Sequence, residues 1–272
     1  MSLAGEPVAG AMIGVMAKPI LLPVPDRDFD ATEVAVPWRL LTRAGHRVVF
    51  ATERGGAAPA ADPRTLRGAM FGMFPASREA RKFYEELTQS EEFRTPIAWS
   101  AIDPTAYAAL VLPGGHAPGM RQYLGSETLQ AKVAAFWKLD RPVAAICHGV
   151  LVLARSRDPE TGKSVLAASR TTCLPKYMER TAYLSTAWKL GRYYRTYPAY
   201  VEDEVKQALD DPGRQFVRGS RVIDFRNVVE AHPGTAMAVE DGRYVSARWP
   251  GDAYLLAEKL LARLEKSGTK AA

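Results

Sequence analysis

The chain is poor in the residues that hold metals or form disulfides. Its 272 residues include only two cysteines, Cys147 and Cys173, and four histidines. Neither a C-x-x-C nor an H-E-x-x-H pattern occurs, so ligand spacing gives no sign of a zinc site, and we expect no metal and no cofactor. So few cysteines also predict that there is no disulfide framework.

Long apolar runs and one-sided charge are absent as well. No stretch approaches the roughly 18 apolar residues of a membrane span, so no membrane association is predicted. The first residues lack a basic stretch followed by an apolar one, so we expect no secretory signal and a cytoplasmic location. The net charge is +6, but Lys and Arg alternate with Asp and Glu along the chain, which indicates a solvated surface and no nucleic-acid partner.

What the sequence does contain is a regular alternation of strand-like and helix-like segments. Apolar runs at 19–24, 46–52, 107–115 and 143–147 predict buried strands, and amphipathic segments between them predict helices. This order predicts a doubly wound α/β fold, with a mostly parallel sheet and helices on both faces. We expect one domain, over residues 18–265.

The remaining segments are predicted with less regular structure. Residues 163–180 contain a further predicted strand, and two more strands flank the Asp-Gly turn at 241–242. Segments 55–98 and 180–215 are predicted to be inserted or cap segments, and 266–272 a disordered tail.

The stretch "PVAAICHGVLVLA" places Cys147 and His148 at the corner between a strand and a helix. A sharp turn there projects the sulfur above the carboxyl end of the sheet, and the helix N-terminus favours a thiolate close to solvent. Gly149 permits the tight backbone approach, and His148 is a candidate proton acceptor. The alternative is a buried, inert cysteine, because free cysteine is among the most buried residue types.

Two other segments end at the same predicted edge of the sheet. Gly114 and Gly115 follow the third strand, where backbone N–H groups can form an oxyanion hole together with the N–H of His148, or simply make a tight turn. Asp30 has the position of a helix N-cap, and Glu33 three residues later completes a capping-box pattern.

Four stretches together resemble the ThiJ/PfpI (DJ-1) superfamily: "ALVLPGGHAPG", "PVAAICHGVLVLA", "RTTCLP" and "DGRYVSARWPGDAYLLAEKLLARL". They occur in order, and the resemblance covers about residues 18–180 and 220–263. Within the superfamily, the long chain with "GGHAPG" and "CHG" is most similar to the larger chaperone/glyoxalase branch and its class I amidotransferase-like neighbours. The resemblance implies a flavodoxin-like fold with an inserted cap, and a homodimer.

Carried over by position, the resemblance also implies roles for individual residues. Cys147 would be the nucleophile with His148 beside it, Glu33 the carboxyl that hydrogen-bonds the sulfur, and Gly115 a source of an oxyanion-type amide. For the acid of a triad, Glu179 is the carboxylate in the matching neighbourhood, and an exposed helix glutamate is the alternative interpretation.

Three further features each have two interpretations. His116 lines the pocket or lies on a surface loop. Cys173 stands where some relatives carry a pocket-facing histidine, or is a packed cysteine near a strand end. The aromatic-rich segment 183–200 is a lid over Cys147, or it packs an inserted helix pair or a dimer contact.

The expected function is a cofactor-independent cysteine enzyme acting on a small carbonyl or amide substrate, most concretely a glyoxalase III-like conversion of methylglyoxal to lactate. The alternative from a different class is a stress-responsive chaperone or redox sensor. A glutamine amidotransferase-like hydrolase has less support: His232-Pro233 matches part of a His-Pro-Glu pattern, but Gly234 replaces the glutamate that would orient the imidazole.

Overall fold

A computed structural model describes residues 17–68, 75–195, 197–222 and 235–269 of the protein. The strands are β1 Ile20–Pro23, β2 Arg27–Phe29, β3 Val48–Thr52, β4 Ala60–Ala61, β5 Ile97–Ala98, β6 Ala109–Leu112, β7 Val143–Ile146, β8 Ala238–Asp241 and β9 Tyr244–Ala247. The helices are α1 Ala31–Arg43, α2 Pro63–Arg67, α3 Arg78–Gln89, α4 Glu91–Arg94, α5 Met120–Leu124, α6 Glu127–Trp137, α7 Val150–Arg155, α8 Lys176–Leu190, α9 Val201–Gln207, α10 Pro212–Gln215 and α11 Ala253–Thr269.

Seven strands form one sheet in the order β5-β3-β1-β6-β7-β9-β8, and β2 pairs with β4 in a separate two-stranded sheet. Every pair in the large sheet is parallel except β8 with β9, which form the antiparallel hairpin expected around the Asp-Gly turn. The central strands β1, β6 and β7 are buried at every residue. Such strands read as continuous apolar runs because both faces of a parallel sheet are covered. The predicted flavodoxin-like α/β fold is confirmed.

Helices pack in two groups around this sheet. α1 contacts α3 and α11, and α11 also lies against β7 and β9; α6 contacts α7, which contacts α9. Because α3 packs on α1, this part of the predicted insert 55–98 belongs to the helical layer beside the sheet. The predicted segment 180–215 contains α9, which packs on α7, the helix that follows Cys147–Gly149.

The strand predicted within residues 163–180 does not form. Thr171 makes only an isolated bridge to Phe216, and the next residue contacts the sheet through a side chain, with the Thr172 N–H donating to Ser246 Oγ at 3.0 Å. The reason is topological, because β9 already pairs with β7 on one side and β8 on the other.

The predicted disordered tail is also partly wrong. α11 continues to Thr269, so residues 266–269 are helical. Buried Leu260 and Leu264 hold this helix on the core, and Arg263 ties it to the hairpin by donating to Gly242 O at 2.9 Å.

The parallel pairing of β1 with β6 and of β6 with β7 brings three loops to one edge of the sheet. They are the loop before α1, the Pro113–Gly115 turn after β6 and the Cys147–Gly149 turn after β7. In open α/β sheets this carboxyl edge is where ligands bind.

Candidate active site

The turn after β7 is a strained elbow. Cys147 has φ +58°, in the left-handed region that side chains other than glycine rarely adopt. A tight 3₁₀ turn over Cys147–Gly149 then leads into α7. A Cβ on Gly149 would lie 2.1 Å from the carbonyl oxygen of Leu112, so the elbow and the end of β6 approach closely only because this residue is glycine.

The elbow turns Cys147 and His148 toward one another, although adjacent side chains often point apart. Cys147 Sγ lies 3.5 Å from His148 Nδ1. The backbone N–H of His148 also hydrogen-bonds the sulfur, which acts to lower the pKa of the thiol. A nucleophile and a base within hydrogen-bond reach are the basic requirement of covalent catalysis.

Glu33 reaches the elbow from the first turn of α1. Asp30 caps that helix, and its Oδ1 accepts from the N–H groups of Thr32 at 2.8 Å and Glu33 at 3.1 Å. In a capping box the Glu33 carboxyl would accept from the Asp30 N–H. This part of the prediction is wrong, because Gly114 is the partner of both groups. The Asp30 N–H donates to Gly114 O at 2.9 Å, and Glu33 Oε2 accepts from the Gly114 N–H at 2.7 Å.

The Glu33 carboxyl therefore faces the site and not its own helix end. It interacts with the Cys147 thiol closely enough that each group shifts the pKa of the other. Its second oxygen, Oε1, has no partner of full hydrogen-bond geometry among the described residues. Burial, followed by the neighbouring Asp30 charge, raises the pKa of Glu33 well above 4.5, which favours the protonated form of this carboxyl.

The expectation of a thiolate close to solvent is wrong for this state of the site. Cys147 is 1% exposed. Burial raises the pKa of its thiol well above the usual value, and the nearby Glu33 and Asp30 carboxyls act in the same direction. These effects exceed that of the His148 N–H, so the resting side chain is a thiol.

His116 lines the site, which is the first of the two interpretations given for it above. Its ring meets that of His148 edge to face, with centroids 4.6 Å apart. Burial lowers the pKa of His116 to about 4. Burial likewise lowers the pKa of His148 far below its usual range, with further contributions from His116 and Arg155. Both imidazoles are therefore neutral near pH 7, which is the form in which His148 can accept a proton.

The aromatic-rich segment contributes two residues above this cluster. The Tyr194 ring packs edge to face on His116 with centroids 5.6 Å apart, and Tyr193 packs on Tyr194 at 5.2 Å. Tyr193 is fastened on its far side, where its hydroxyl donates to Asp62 Oδ1 at 2.9 Å. Trp188 is 70% exposed and lies apart from the site. The segment thus places one pair of tyrosines against His116 and exposes Trp188.

The two glycines after β6 have different places. A Cβ on Gly114 would lie 2.7 Å from the His148 nitrogen, and one on Gly115 would lie 2.8 Å from Asp28 O. Both positions need glycine for close backbone contact. Because the Gly114 N–H is bonded to Glu33, the oxyanion interpretation rests on the amides of Gly115 and His148. The His148 N–H hydrogen-bonds the Cys147 sulfur in the resting site, so it would have to turn to the substrate oxygen, and the interpretation stays a prediction.

The structure does not bring Glu179 to His148. One carboxylate oxygen pairs with Arg195 Nη1 at 3.3 Å, and the other accepts from the Val201 N–H at 3.0 Å, at the start of α9. Glu179 is also 1% exposed, so it is not the exposed helix glutamate of the alternative interpretation. It joins α8 to α9.

Cys173 is packed away as well. It is fully buried, and its thiol contacts the Leu174 carbonyl oxygen at 3.7 Å. Burial raises the pKa of this thiol, as do the charges of Glu202 and Glu179. His232 lies outside the described residues.

Sequence reasoning missed two residues around the site. Asp62 accepts from both the Arg64 N–H and the Tyr193 hydroxyl, and only its N-cap position before Pro63 gave any signal. Tyr123 is buried close enough to Glu33 that the carboxyl raises the pKa of its phenol. No sequence pattern linked α5, which carries this tyrosine, to α1.

Three side chains could hold a metal ion. The ligand atoms of His116, Cys147 and His148 all lie within 4.8 Å of one another.

Within the described ranges no helix is long and apolar enough to cross a membrane.

Comparison with known proteins places this geometry in a family. The "ThiJ/PfpI family-like" family matches residues 24–219. A deglycase from Pyrococcus abyssi is 23% identical over 226 residues, which cover 83% of this chain and 87% of the deglycase. A deglycase from Thermococcus kodakarensis is 28% identical over 158 residues, 58% of this chain and 63% of that protein. An uncharacterized protein from Schizosaccharomyces pombe is 27% identical over 242 residues, covering 87% of this chain and 80% of that protein.

Solved structures share the fold. Glyoxalase III from Candida albicans superposes with a TM-score of 0.66 at 18% identity, over 90% of this chain and 97% of that one. DJ-1beta from Drosophila melanogaster gives a TM-score of 0.54 at 16% identity, over 92% of this chain and 98% of that one. With a seven-stranded α/β sheet and a family match over most of its length, the chain belongs to the ThiJ/PfpI (DJ-1) superfamily.

Proposed function

We propose that the protein is a cofactor-independent cysteine enzyme that converts small α-oxoaldehydes such as methylglyoxal to the corresponding α-hydroxy acids. The observation that carries the proposal is the strained elbow at Cys147, which holds its sulfur 3.5 Å from a neutral His148 imidazole. The glyoxalase III and deglycase activities named for similar proteins support this choice of chemistry.

The reaction begins from an uncharged site. The Cys147 sulfur attacks the aldehyde carbon while His148 takes the S–H proton, so that charge develops only when the substrate is bound. The carbonyl oxygen gains a proton, which gives a hemithioacetal. A resting thiol needs this local base, because burial has removed the advantage of a helix N-terminus.

The second stage moves hydrogen between neighbouring carbons. A base removes the proton from the hemithioacetal carbon, the electron pair shifts through an enediol, and the adjacent carbon receives a proton. This produces a thioester of the α-hydroxy acid, which water hydrolyses to release the acid and regenerate the thiol. No external oxidant is needed, because one carbon is oxidised as its neighbour is reduced.

Glu33 is suited to the proton transfers of this stage. Its protonated carboxyl borders the thiol, and its Oε1 has no partner of full hydrogen-bond geometry among the described residues. A carboxylic acid with a raised pKa can both donate and accept a proton near neutral pH. In this proposal His148 takes the proton of the sulfur, and Glu33 gives its proton to the carbonyl oxygen. The resulting Glu33 carboxylate then takes the proton from the hemithioacetal carbon and returns it to the adjacent carbon.

The test is to incubate the purified protein with methylglyoxal and to measure loss of the aldehyde together with formation of lactate. Cys147→Ser should reduce turnover by about 10³-fold or more. Cys173→Ser is the matched control, because it alters the other buried thiol, and it should keep the rate of the unmodified protein. Lactate formation that survives Cys147→Ser would refute the proposal.

A hydrolase acting on amides would use the same sulfur and base, and release of amine from amide substrates without any lactate would identify it. Peroxide sensing is less suited to this site. Oxidation requires a thiolate that solvent can reach, whereas Cys147 is 1% exposed and the pKa of its thiol is raised.

A further inference from the structure

The fold brings together three ligands that sequence spacing could not reveal. His116 comes from the loop after β6, and Cys147 and His148 from the elbow after β7. Their two imidazole nitrogens and one sulfur all lie within 4.8 Å of one another. The pairing of β6 with β7 sets this approach, so it does not depend on any change in the sheet.

We infer that His116, Cys147 and His148 form a three-ligand site for a zinc-like divalent cation, with a fourth position open to water or another small ligand. This inference does not depend on the proposed catalytic activity. It concerns the binding chemistry of the same side chains.

The spacing supports tetrahedral coordination. With Zn–S near 2.3 Å and Zn–N near 2.0–2.1 Å, a tetrahedral site separates sulfur from nitrogen by about 3.6 Å. Cys147 Sγ and His148 Nδ1 are 3.5 Å apart. One edge of the tetrahedron is therefore already formed, and His116 must move its ring by a small amount to supply the third ligand.

The ligand set and its surroundings favour a borderline-soft dication. Thiolate with imidazole suits zinc and its chemical relatives, whereas calcium and magnesium prefer oxygen ligands. The Asp30 carboxyl acts electrostatically on the Cys147 sulfur and so offsets part of the charge of a bound dication.

The ion enters from the side of His116, past the Tyr194 ring that packs on it. Among the three ligands this residue alone is partly exposed. As the metal–sulfur bond forms, the S–H bond of Cys147 breaks and its proton leaves to solvent. A bound ion would occupy both the nucleophile and its base, so binding of the cation and covalent chemistry at Cys147 exclude one another.

Cobalt(II) is the probe, because its spectrum reports the ligands directly. Titration of the full-length protein should give a sulfur-to-cobalt charge-transfer band and tetrahedral d–d bands that saturate at one equivalent, and zinc should abolish both. Cys173→Ser should leave this titration unchanged. Cys147→Ser should lose the charge-transfer band.

His116→Phe tests the third ligand while keeping a ring against Tyr194 and His148. It should weaken cobalt binding by more than the roughly 10–100-fold that loss of an outer-shell partner costs. Unchanged affinity in His116→Phe, or a charge-transfer band that persists in Cys147→Ser, would overturn the assignment.

A second measurement needs no substitution and so avoids any failure to fold. One equivalent of zinc should slow alkylation of Cys147 by iodoacetamide at least tenfold, as followed by peptide mapping, and should leave Cys173 unaffected. Equal alkylation of Cys147 with and without zinc would contradict the site. If methylglyoxal turnover is absent while zinc protection is present, the proposed activity fails and the metal site stands.

Discussion

Two regions of this protein each contain a buried cysteine beside a buried glutamate. In the elbow region Cys147 adjoins Glu33, and in the α8–α9 region Cys173 lies near Glu179. Burial raises the pKa of all four groups. Burial and a shifted pKa therefore do not identify a reactive site by themselves.

What differs is the set of partners. Glu179 pairs with Arg195 and holds the first residue of α9, whereas Glu33 contacts a thiol and a glycine N–H. Cys147 has a base at 3.5 Å and a strained backbone, while Cys173 hydrogen-bonds only a neighbouring carbonyl among the described residues. The elbow region therefore combines a thiol, a carboxyl and a neutral imidazole, which are the groups that the proposed proton transfers need, whereas the buried glutamate of the α8–α9 region joins two helices.

The largest expected effect is the loss of turnover in Glu33→Gln. The amide can still accept from the Gly114 N–H, so the fold should persist, but it cannot exchange a proton. We expect kcat on methylglyoxal to fall about 10²–10⁴-fold, measured by lactate formation. The matched variant Glu179→Gln should keep kcat within about twofold. Equal losses in the two variants would remove the distinction between the regions.

Gly149→Ala should produce the next largest effect. The added Cβ would meet backbone oxygens at 2.1 and 2.6 Å, which cannot move as a flexible side chain can. We expect the free energy of unfolding to fall by about 3 kcal/mol or more. Gly162→Ala, at φ +68° with no atom within 4 Å of its Cβ, should cost only about 1 kcal/mol. Urea unfolding of both variants checks the difference, and similar costs would show that the elbow is not tightly fitted.

When stability is measured instead of turnover, Glu179→Gln should have a larger effect than Glu33→Gln. Loss of the Glu179 carboxylate weakens a charge-assisted bond to buried Arg195, so we expect a decrease of about 1.5–3 kcal/mol in the free energy of unfolding. Glu33→Gln should not decrease the free energy of unfolding at pH 8, because burial disfavours the ionised form of the glutamate that the neutral amide replaces. Chemical denaturation at that pH compares the two. A stable Glu179→Gln would mean that the Arg195 pair contributes little.

The smallest effect, counted per unit of pH, is a pH dependence specific to the elbow. The folded pKa of Glu33 is raised above its unfolded value of about 4.5. Its stabilising contribution is therefore complete below pH 4.5 and is lost as the pH rises toward the folded value. The difference in unfolding free energy between the unmodified protein and Glu33→Gln should fall with rising pH, by at most about 1.4 kcal/mol per unit.

Unfolding measurements from pH 4.5 to 8 give this difference directly. Contributions from His116 and His148 cancel in it to the extent that they are the same in both proteins. A difference that grows with pH would mean that Glu33 is ionised in the folded state, and the proposed proton transfer through its carboxyl would then be wrong.

The residue pattern predicted the sheet and the elbow, and the resemblance to a known family implied the approach of Glu33. Alternating apolar strands and amphipathic helices fix a parallel sheet, and parallel strands bring their carboxyl ends to one edge. Cys147, Gly114 and the first turn of α1 all lie within a few residues of such ends, so their meeting follows from strand order. Local capping chemistry likewise predicted Asp30 as the N-cap.

The hydrogen-bond partners of those residues follow from the three-dimensional packing. Gly114 completes the cap of α1 and frees Glu33 for the site, and Glu179 turns to Arg195, because each polar group must find its partner in the packed interior. The closure of Tyr193 and Tyr194 over His116 also joins segments distant in the chain. Packing of the whole fold leaves Cys147 1% exposed, so the protonation state of the thiol depends on desolvation, which the sequence pattern at the elbow does not contain.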